Sequence, residues 1–153
     1  MSTTPLSLIV YTDGGSRGNP GPAGLGVYIC TPDGVAVERR YQYLWETTNN
    51  VAEYTGALLG LERALALGAT SIELRADSKL VIEQLAGRYK VKNPTLKIIH
   101  SQIREMLANY TGELILTHVY REQNTEADRL SNIAMDEAKK ILRKPSLSIY
   151  SAG

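Results

Sequence analysis

Cysteine is almost absent from this chain. Among its 153 residues Cys30 is the only one. That excludes an intrachain disulfide and a zinc site built on cysteines, and it makes a reducing compartment, the cytoplasm, the expected setting. Long apolar runs are also missing, and none approaches the roughly 18 residues a membrane span requires. The opening Met1-Ser-Thr-Thr-Pro-Leu-Ser-Leu-Ile-Val-Tyr has no positive start and soon reaches Asp13, so it does not read as a secretory signal. Net charge is nearly nil. The 17 basic and 16 acidic residues leave +1, which excludes a uniformly basic, histone-like binder but allows binding through local patches. No internal repeat or low-complexity stretch appears. What remains is a chain with 43% hydrophobic residues, long enough to bury roughly 68–70% of its unfolded surface in one domain. That domain is expected over residues 1–143, with a polar tail at 144–153.

Apolar and β-branched residues at 6–12 predict a buried first strand. The glycine-rich stretch Gly14-Gly15-Ser16-Arg17-Gly18-Asn19-Pro20-Gly21-Pro22 follows as a loop. Residues 25–31 and 35–45 predict two further strands around a Pro32-Asp33-Gly34 turn. Tyr54, Ala57, Leu58, Leu61 and Leu65 share one helical face, and Gly68 marks its stop. A strand at 71–77 then leads to a helix with Leu80, Val81 and Leu85 on one side. Asn93-Pro94 opens a helix carrying Leu96, Ile99, Ile103, Met106 and Leu107. A fifth strand at 113–120 and a helix at 124–142 complete the series, with Pro145 beyond. The order β-β-β-α-β-α-α-β-α predicts an α/β fold on a mixed sheet, an antiparallel meander continued by right-handed crossovers to parallel strands.

Four acids fall at element ends. Asp13 closes the first strand and Asp77 the fourth, while Glu53 and Asp128 sit in the first turns of the first and last helices. Each has a purely structural reading. Asn50-Val51-Ala52-Glu53 and Thr125-Glu126-Ala127-Asp128 look like capping boxes, Asp77-Ser78 suits an N-cap, and Asp13 suits its own turn. Together they invite another. If the first and fourth strands are neighbours, their carboxyl ends coincide and four carboxylates converge. Such a cluster repels itself unless cations neutralise it, and hard divalent ions prefer oxygen ligands.

These residues carry a resemblance. Tyr11-Thr12-Asp13-Gly14-Gly15-Ser16-Arg17-Gly18-Asn19-Pro20-Gly21-Pro22 resembles the first sequence block of type 1 ribonuclease H. Thr48-Asn49-Asn50-Val51-Ala52-Glu53-Tyr54, Ala76-Asp77-Ser78 and Asn124-Thr125-Glu126-Ala127-Asp128 resemble its second, third and fourth, in the family's order and across nearly the whole chain. The resemblance implies the ribonuclease H-like fold, a five-stranded mixed sheet of order 3-2-1-4-5 flanked by helices. It implies an endonuclease that hydrolyses the RNA strand of RNA–DNA hybrids, leaving 5′-phosphate and 3′-hydroxyl ends. Asp13, Glu53, Asp77 and Asp128 would hold two Mg²⁺ ions, with Mn²⁺ as a substitute and Asp13 bridging both. Two ions about 3.5–4 Å apart would activate water on one side of the phosphodiester and stabilise the departing 3′ oxygen on the other. Gly14, Gly15, Ser16, Asn19, Thr48, Asn49, Asn50 and Ser78 would meet the hybrid, with Asn19 and Thr48 suited to DNA phosphate and Asn50 to bases or sugars. The competing reading for Asn19, Thr48 and Asn50 is turn chemistry and helix capping. The glycine loop lacks the GK[ST] of a Walker loop and the spacing of a dinucleotide fingerprint.

The chain also departs from the family. Many members carry a mobile Gly-His loop before the last acid, thought to assist proton transfer or product release. Here it is Tyr120-Arg121-Glu122-Gln123-Asn124, shorter and without histidine. Arg121 is the expected substitute near the departing group, ahead of Glu122, because a guanidinium can contact phosphate. His118 is expected to be held in the strand, and His100, within a helical pattern, to be structural. Several members also insert a basic, tryptophan-bearing helix after the third block. This chain has Gly87-Arg88-Tyr89-Lys90-Val91-Lys92-Asn93-Pro94 instead, either a contact for a DNA backbone, with Lys97, or a solvated connection. Trp45 is expected in the core, and Lys139-Lys140 and Arg143-Lys144 form either a solvated helix end or a secondary phosphate contact. The expected partner is a hybrid duplex bound by a monomer, with no membrane. Two alternatives stay open: a catalytically silent hybrid-binding module, and a two-metal nuclease of the same fold acting on another duplex.

Overall fold

The computed structural model describes residues 4–142, with side chains to 137. The expected tail at 144–153 and the basic residues 139–140 and 143–144 lie outside what is described of side chains. Five strands form one sheet in the order β3-β2-β1-β4-β5, as the resemblance implied. β1 (Ser7–Ser16) pairs antiparallel with β2 (Gly21–Cys30), which pairs antiparallel with β3 (Ala36–Thr47). β4 (Ser71–Ala76) runs parallel to β1, and β5 (Glu113–His118) parallel to β4. The helices are α1 (Asn49–Ala66), α2 (Lys79–Leu85), α3 (Pro94–Leu107) and α4 (Thr125–Leu142). No helix among the described residues is long and apolar enough to cross a membrane.

Alternation along the strands divides the two faces. Leu8 and Val10 of β1, Leu25, Val27 and Ile29 of β2, and Ile72 and Leu74 of β4 point to one side. There they pack with Ala57, Leu61 and Ala64 of α1, and with Val81, Ile82, Leu96 and Ile103 of α2 and α3. The other face receives α4 over β2 and β1. That contact is close because β2 offers Gly24 and Gly26, where a Cβ would strike Ala134 and the Ala127 carbonyl oxygen respectively.

Several expectations shift in detail. β1 does not stop at Thr12 but continues through Asp13-Gly14-Gly15 to Ser16, so the glycine-rich loop shrinks to the four residues 17–20. Ladder pairing decides this, since Gly14 and Gly15 lie opposite Leu25 and Gly24. Helix α1 is capped by Thr48, whose hydroxyl accepts from the Val51 amide at 3.2 Å. Glu53 therefore lies beyond the first turn and is no partner in a capping box. Trp45 is not in the core. It is 47% exposed, at a bulge on the sheet edge.

Candidate active site

The parallel pairing of β1 with β4 sets the site. Thr12 and Ala76 are the last paired residues, so Asp13 and Asp77 leave the two strands side by side. Glu53 joins them because α1 approaches β1 closely at Gly14, where a Cβ would collide with the Ala52–Glu53 backbone. One carboxylate oxygen from each of Asp13, Glu53 and Asp77 lies within 4.8 Å of the others. Asp128 comes from the first turn of α4. Its helix start is fastened by Asn124, whose carbonyl accepts from the Asp128 amide at 3.1 Å. The Asn124 side-chain amide in turn donates to the Thr12 carbonyl at 2.9 Å, next to Asp13. All four acids line one cleft of about 610 Å³.

Crowding shows in the electrostatics. Asp13 is 7% exposed, and burial, followed by the charge of Asp77 and contact with Asp128, pushes its pKa up to about 8. Glu53 is also pushed well above the usual carboxylate range, by burial first and then by Asp13 and Asp77. The Gly14 amide opposes both shifts by hydrogen bonding to the charged forms. Such a donor set is costly as an anion cluster and suited to a hard divalent cation.

The remaining expected residues divide. Gly14, Gly15, Ser16, Asn49 and Arg121 line the cleft with the acids, whereas Asn19, Thr48, Asn50 and Ser78 are not in its wall. Asn49 Oδ1 accepts from the Ser16 amide at 2.8 Å and from its hydroxyl at 3.2 Å. The Asn49 amide donates to Asn19 Oδ1 at 3.0 Å. These bonds tie the short loop to the start of α1. The hydroxyls of Thr48 and Ser78 serve as helix caps, accepting from Val51 and Val81. Asn50 is exposed beside them. Arg121 is exposed at the start of a 3₁₀ turn, Arg121–Gln123. His118 ends β5, as expected, and from there also reaches the cleft wall, with Nε2 3.3 Å from the Asp77 carbonyl oxygen. His100 is structural, with Nε2 3.2 Å from the Gln84 carbonyl. Arg88 is engaged by Glu83 at 2.6 Å.

The cleft gathers two polar residues that the sequence reading passed over. Ser131 places its hydroxyl 3.3 Å from Asp13 Oδ2 and 2.9 Å from the Asp128 carbonyl. The Asn132 side-chain amide donates to that carbonyl at 2.9 Å. Both stand one turn after Asp128, and the i+3 and i+4 spacing on α4 was the available signal.

A family model described as reverse transcriptase-like matches residues 11–134. The bifunctional protein Rv2228c of Mycobacterium tuberculosis is 46% identical over 134 residues, 87% of this chain but 36% of that protein. The chain thus spans about a third of the length of the first curated relatives it matches. The N-terminal RNase H domain of Rv2228c, solved as a fusion with maltose-binding protein, superposes with a TM-score of 0.84 at 45% identity, covering 88% and 97% of the two chains. Ribonuclease HI of Halobacterium salinarum is 41% identical over 128 residues, 84% of this chain and 64% of its own. LC11-RNase H1, solved in complex with an RNA/DNA hybrid, superposes with a TM-score of 0.82 at 43% identity, covering 86% and 98%.

Proposed function

The chain belongs to the ribonuclease H family, and from that membership we propose that it hydrolyses the RNA strand of RNA–DNA hybrids. The observation that carries the reading is the meeting of Asp13, Glu53 and Asp77 within 4.8 Å, with Asp128 in the same cleft. Divalent metal ions serve the family's chemistry, and two Mg²⁺ ions, or Mn²⁺ in their place, suit these four carboxylates. When bound, they would supply the charge neutralisation, the activated water and the stabilised departing 3′ oxygen of an in-line displacement. Asp13, buried between the other acids, is assigned to both ions, Glu53 and Asp77 to one, and Asp128 to the other.

The chain's own groups do the rest. Gly15 lets the sugar-phosphate backbone approach the end of β1, while Gly14, which makes room for α1, stands in the same cleft wall beside Asp13. Ser16 and Asn49 present polar groups along it, with Asn19, Asn50, Thr48 and Ser78 at the rim. Thr48 and Ser78 contribute through their amides or the second lone pair of hydroxyls already acting as caps. Arg121, in the cleft wall, would contact the scissile phosphate beside the departing 3′ oxygen. Selection of RNA over DNA rests on the 2′-hydroxyl that a hybrid displays in its minor groove. Residues 1–143 are assigned to this one catalytic domain and 144–153 to a tail. A monomer in the cytoplasm is the setting consistent with the lone, buried Cys30.

The test is a side-by-side assay of labelled hybrid, RNA duplex and DNA duplex with Mg²⁺ and with Mn²⁺. The hybrid's RNA strand should be cut, with DNA duplex far slower. Equal cleavage of DNA duplex would assign the site to another two-metal nuclease. Tight binding without turnover would assign it to a silent binding module.

A further inference from the structure

Trp45 is the only tryptophan in the chain, and the fold holds it outward at a cost. Its φ is 62°, in the left-handed region that bulky side chains rarely occupy, yet 47% of its surface is exposed. It pairs with Ala23 beside a register shift in the β2–β3 ladder. Tyr43 pairs with Gly24, and its ring centroid lies 4.6 Å from that of Trp45. Neighbouring Leu44 turns the other way, into the core, Tyr43 lies opposite Gly24 on the face that carries α4, and the Trp45 ring packs beside it.

Their location is what makes them informative. Ala23 pairs with Ser16, a residue of the cleft wall. The Trp45 backbone therefore stands two strand spacings, about 9–10 Å, from that wall, or about three base steps at 3.4 Å per step. Met135 joins the two places. It lines the cleft, and its Cγ lies 3.2 Å from where a Cβ on Gly24 would be. The surface thus leads from the carboxylates over Met135 to an aromatic pair. A base inside a duplex is covered on both faces, so away from a duplex end an exposed aromatic platform stacks on a base that has left the duplex. Aromatic stacking of this kind tolerates any base.

Resting on the hybrid reading of the cleft, we propose that Trp45 and Tyr43 form a stacking subsite for an unpaired nucleotide. The ligand is a single-stranded extension of the bound hybrid, leaving the duplex about three steps from the cleft.

Because no other tryptophan is present, indole fluorescence reports this subsite alone. Blunt hybrid and hybrids with a short 3′ or 5′ single-stranded extension are titrated into the intact protein in EDTA, with anisotropy of a label on the nucleic acid recording binding. One extended hybrid should quench the indole and bind about 10-fold more tightly than the blunt form. Trp45→Gly, which suits the left-handed backbone, should abolish that preference while the melting temperature does not fall. Equal quenching by blunt hybrid, or no quenching while extended hybrid binds, overturns the subsite and leaves the hybrid reading intact. Failure of every hybrid to bind, repeated with Ca²⁺ in place of EDTA so that the carboxylates are neutralised, removes that reading and the subsite with it. A fluorescence change that follows protein concentration without nucleic acid would assign the patch to contact between two copies, and also overturns it.

Discussion

Asp13 and Glu53 share the electrostatic strain of the site, and for Asp13 its pH dependence can be followed. In an unfolded chain its carboxyl titrates near the ordinary 3.8, but in the fold near 8. Between those values the folded protein holds a proton that the unfolded chain releases. The stability this gives is complete below about pH 4 and is lost as pH rises through about 8. Glu38 and Glu73 act in the opposite sense. Hydrogen bonds from Arg63 and Arg75 lower their pKa values, so their contribution is lost as pH falls below about 4.5. Asp13→Asn should therefore abolish hydrolysis of hybrid and yet melt above the wild type in EDTA at about pH 8. The gap should narrow towards about pH 5, and saturating Mg²⁺ should shrink it at any pH, as calorimetry would show. A folded Asp13→Asn protein with substantial turnover would remove Asp13 from the catalytic set. A second residue-level expectation concerns the departing group. Arg121 and His118 both line the cleft, but only the guanidinium carries a permanent charge, whereas His118 leans on the Asp77 carbonyl. Arg121→Ala should slow single-turnover cleavage roughly 10- to 100-fold, about 1.4–2.7 kcal/mol of barrier. His118→Ala should change the rate little. The reverse pattern in two stably folded variants would exchange their assignments.

At the scale of elements, catalytic geometry depends on how closely two helices approach one sheet. Gly14 admits α1 with Glu53, and Gly26 admits α4 with Asp128. A methyl group at Gly26 would meet the Ala127 carbonyl, one residue from Asp128, and backbone cannot turn aside as a side chain can. Gly26→Ala should cost about 1–3 kcal/mol in urea unfolding. It should also lower turnover beyond what the loss of folded protein explains, since α4 must lift. Wild-type turnover in the folded fraction would show that Asp128 tolerates the shift. This dependence on close approach also explains which features were legible in the chain. Helices and strands declared themselves by apolar period, and the order of elements sufficed for a mixed sheet, because periodicity and crossover handedness are local or nearly local rules. The four acids stood at element ends and could be read together. The extension of β1 through two glycines could not, because only pairing with β2 across the sheet makes a strand of Gly14-Gly15. Glu53 looked like a capping acid until Thr48 took the cap. Trp45 looked apolar, and nothing local announces the bulge that turns it outward. Ser131 enters the site only because α4 lies against Asp13.

At the scale of the whole molecule, the near-balance of charge limits how strongly any nucleic acid can be held by counterion release. Among the residues lining the cleft the cations are Arg17 and Arg121, and Arg17 is already 2.7 Å from Asp136. The basic stretch after α2 is partly spent as well, with Arg88 on Glu83, leaving Lys90, Lys92 and Lys97 exposed. If the cleft alone binds, about two phosphates are neutralised and the logarithm of the binding constant should fall with the logarithm of salt at a slope near −2. Affinity would then drop only about 10-fold between about 50 and 200 mM salt. If the three lysines also reach the DNA strand, the slope steepens to about −4 or −5 and affinity falls several hundred-fold over the same range. Anisotropy titrations of labelled hybrid in EDTA at several salt concentrations distinguish the two. The shallow slope is expected, unchanged in a triple Lys90→Ala, Lys92→Ala, Lys97→Ala variant. A steep slope that this variant returns to near −2 would instead make the segment after α2 a second arm of the binding surface, replacing by charge the helix that several family members insert there.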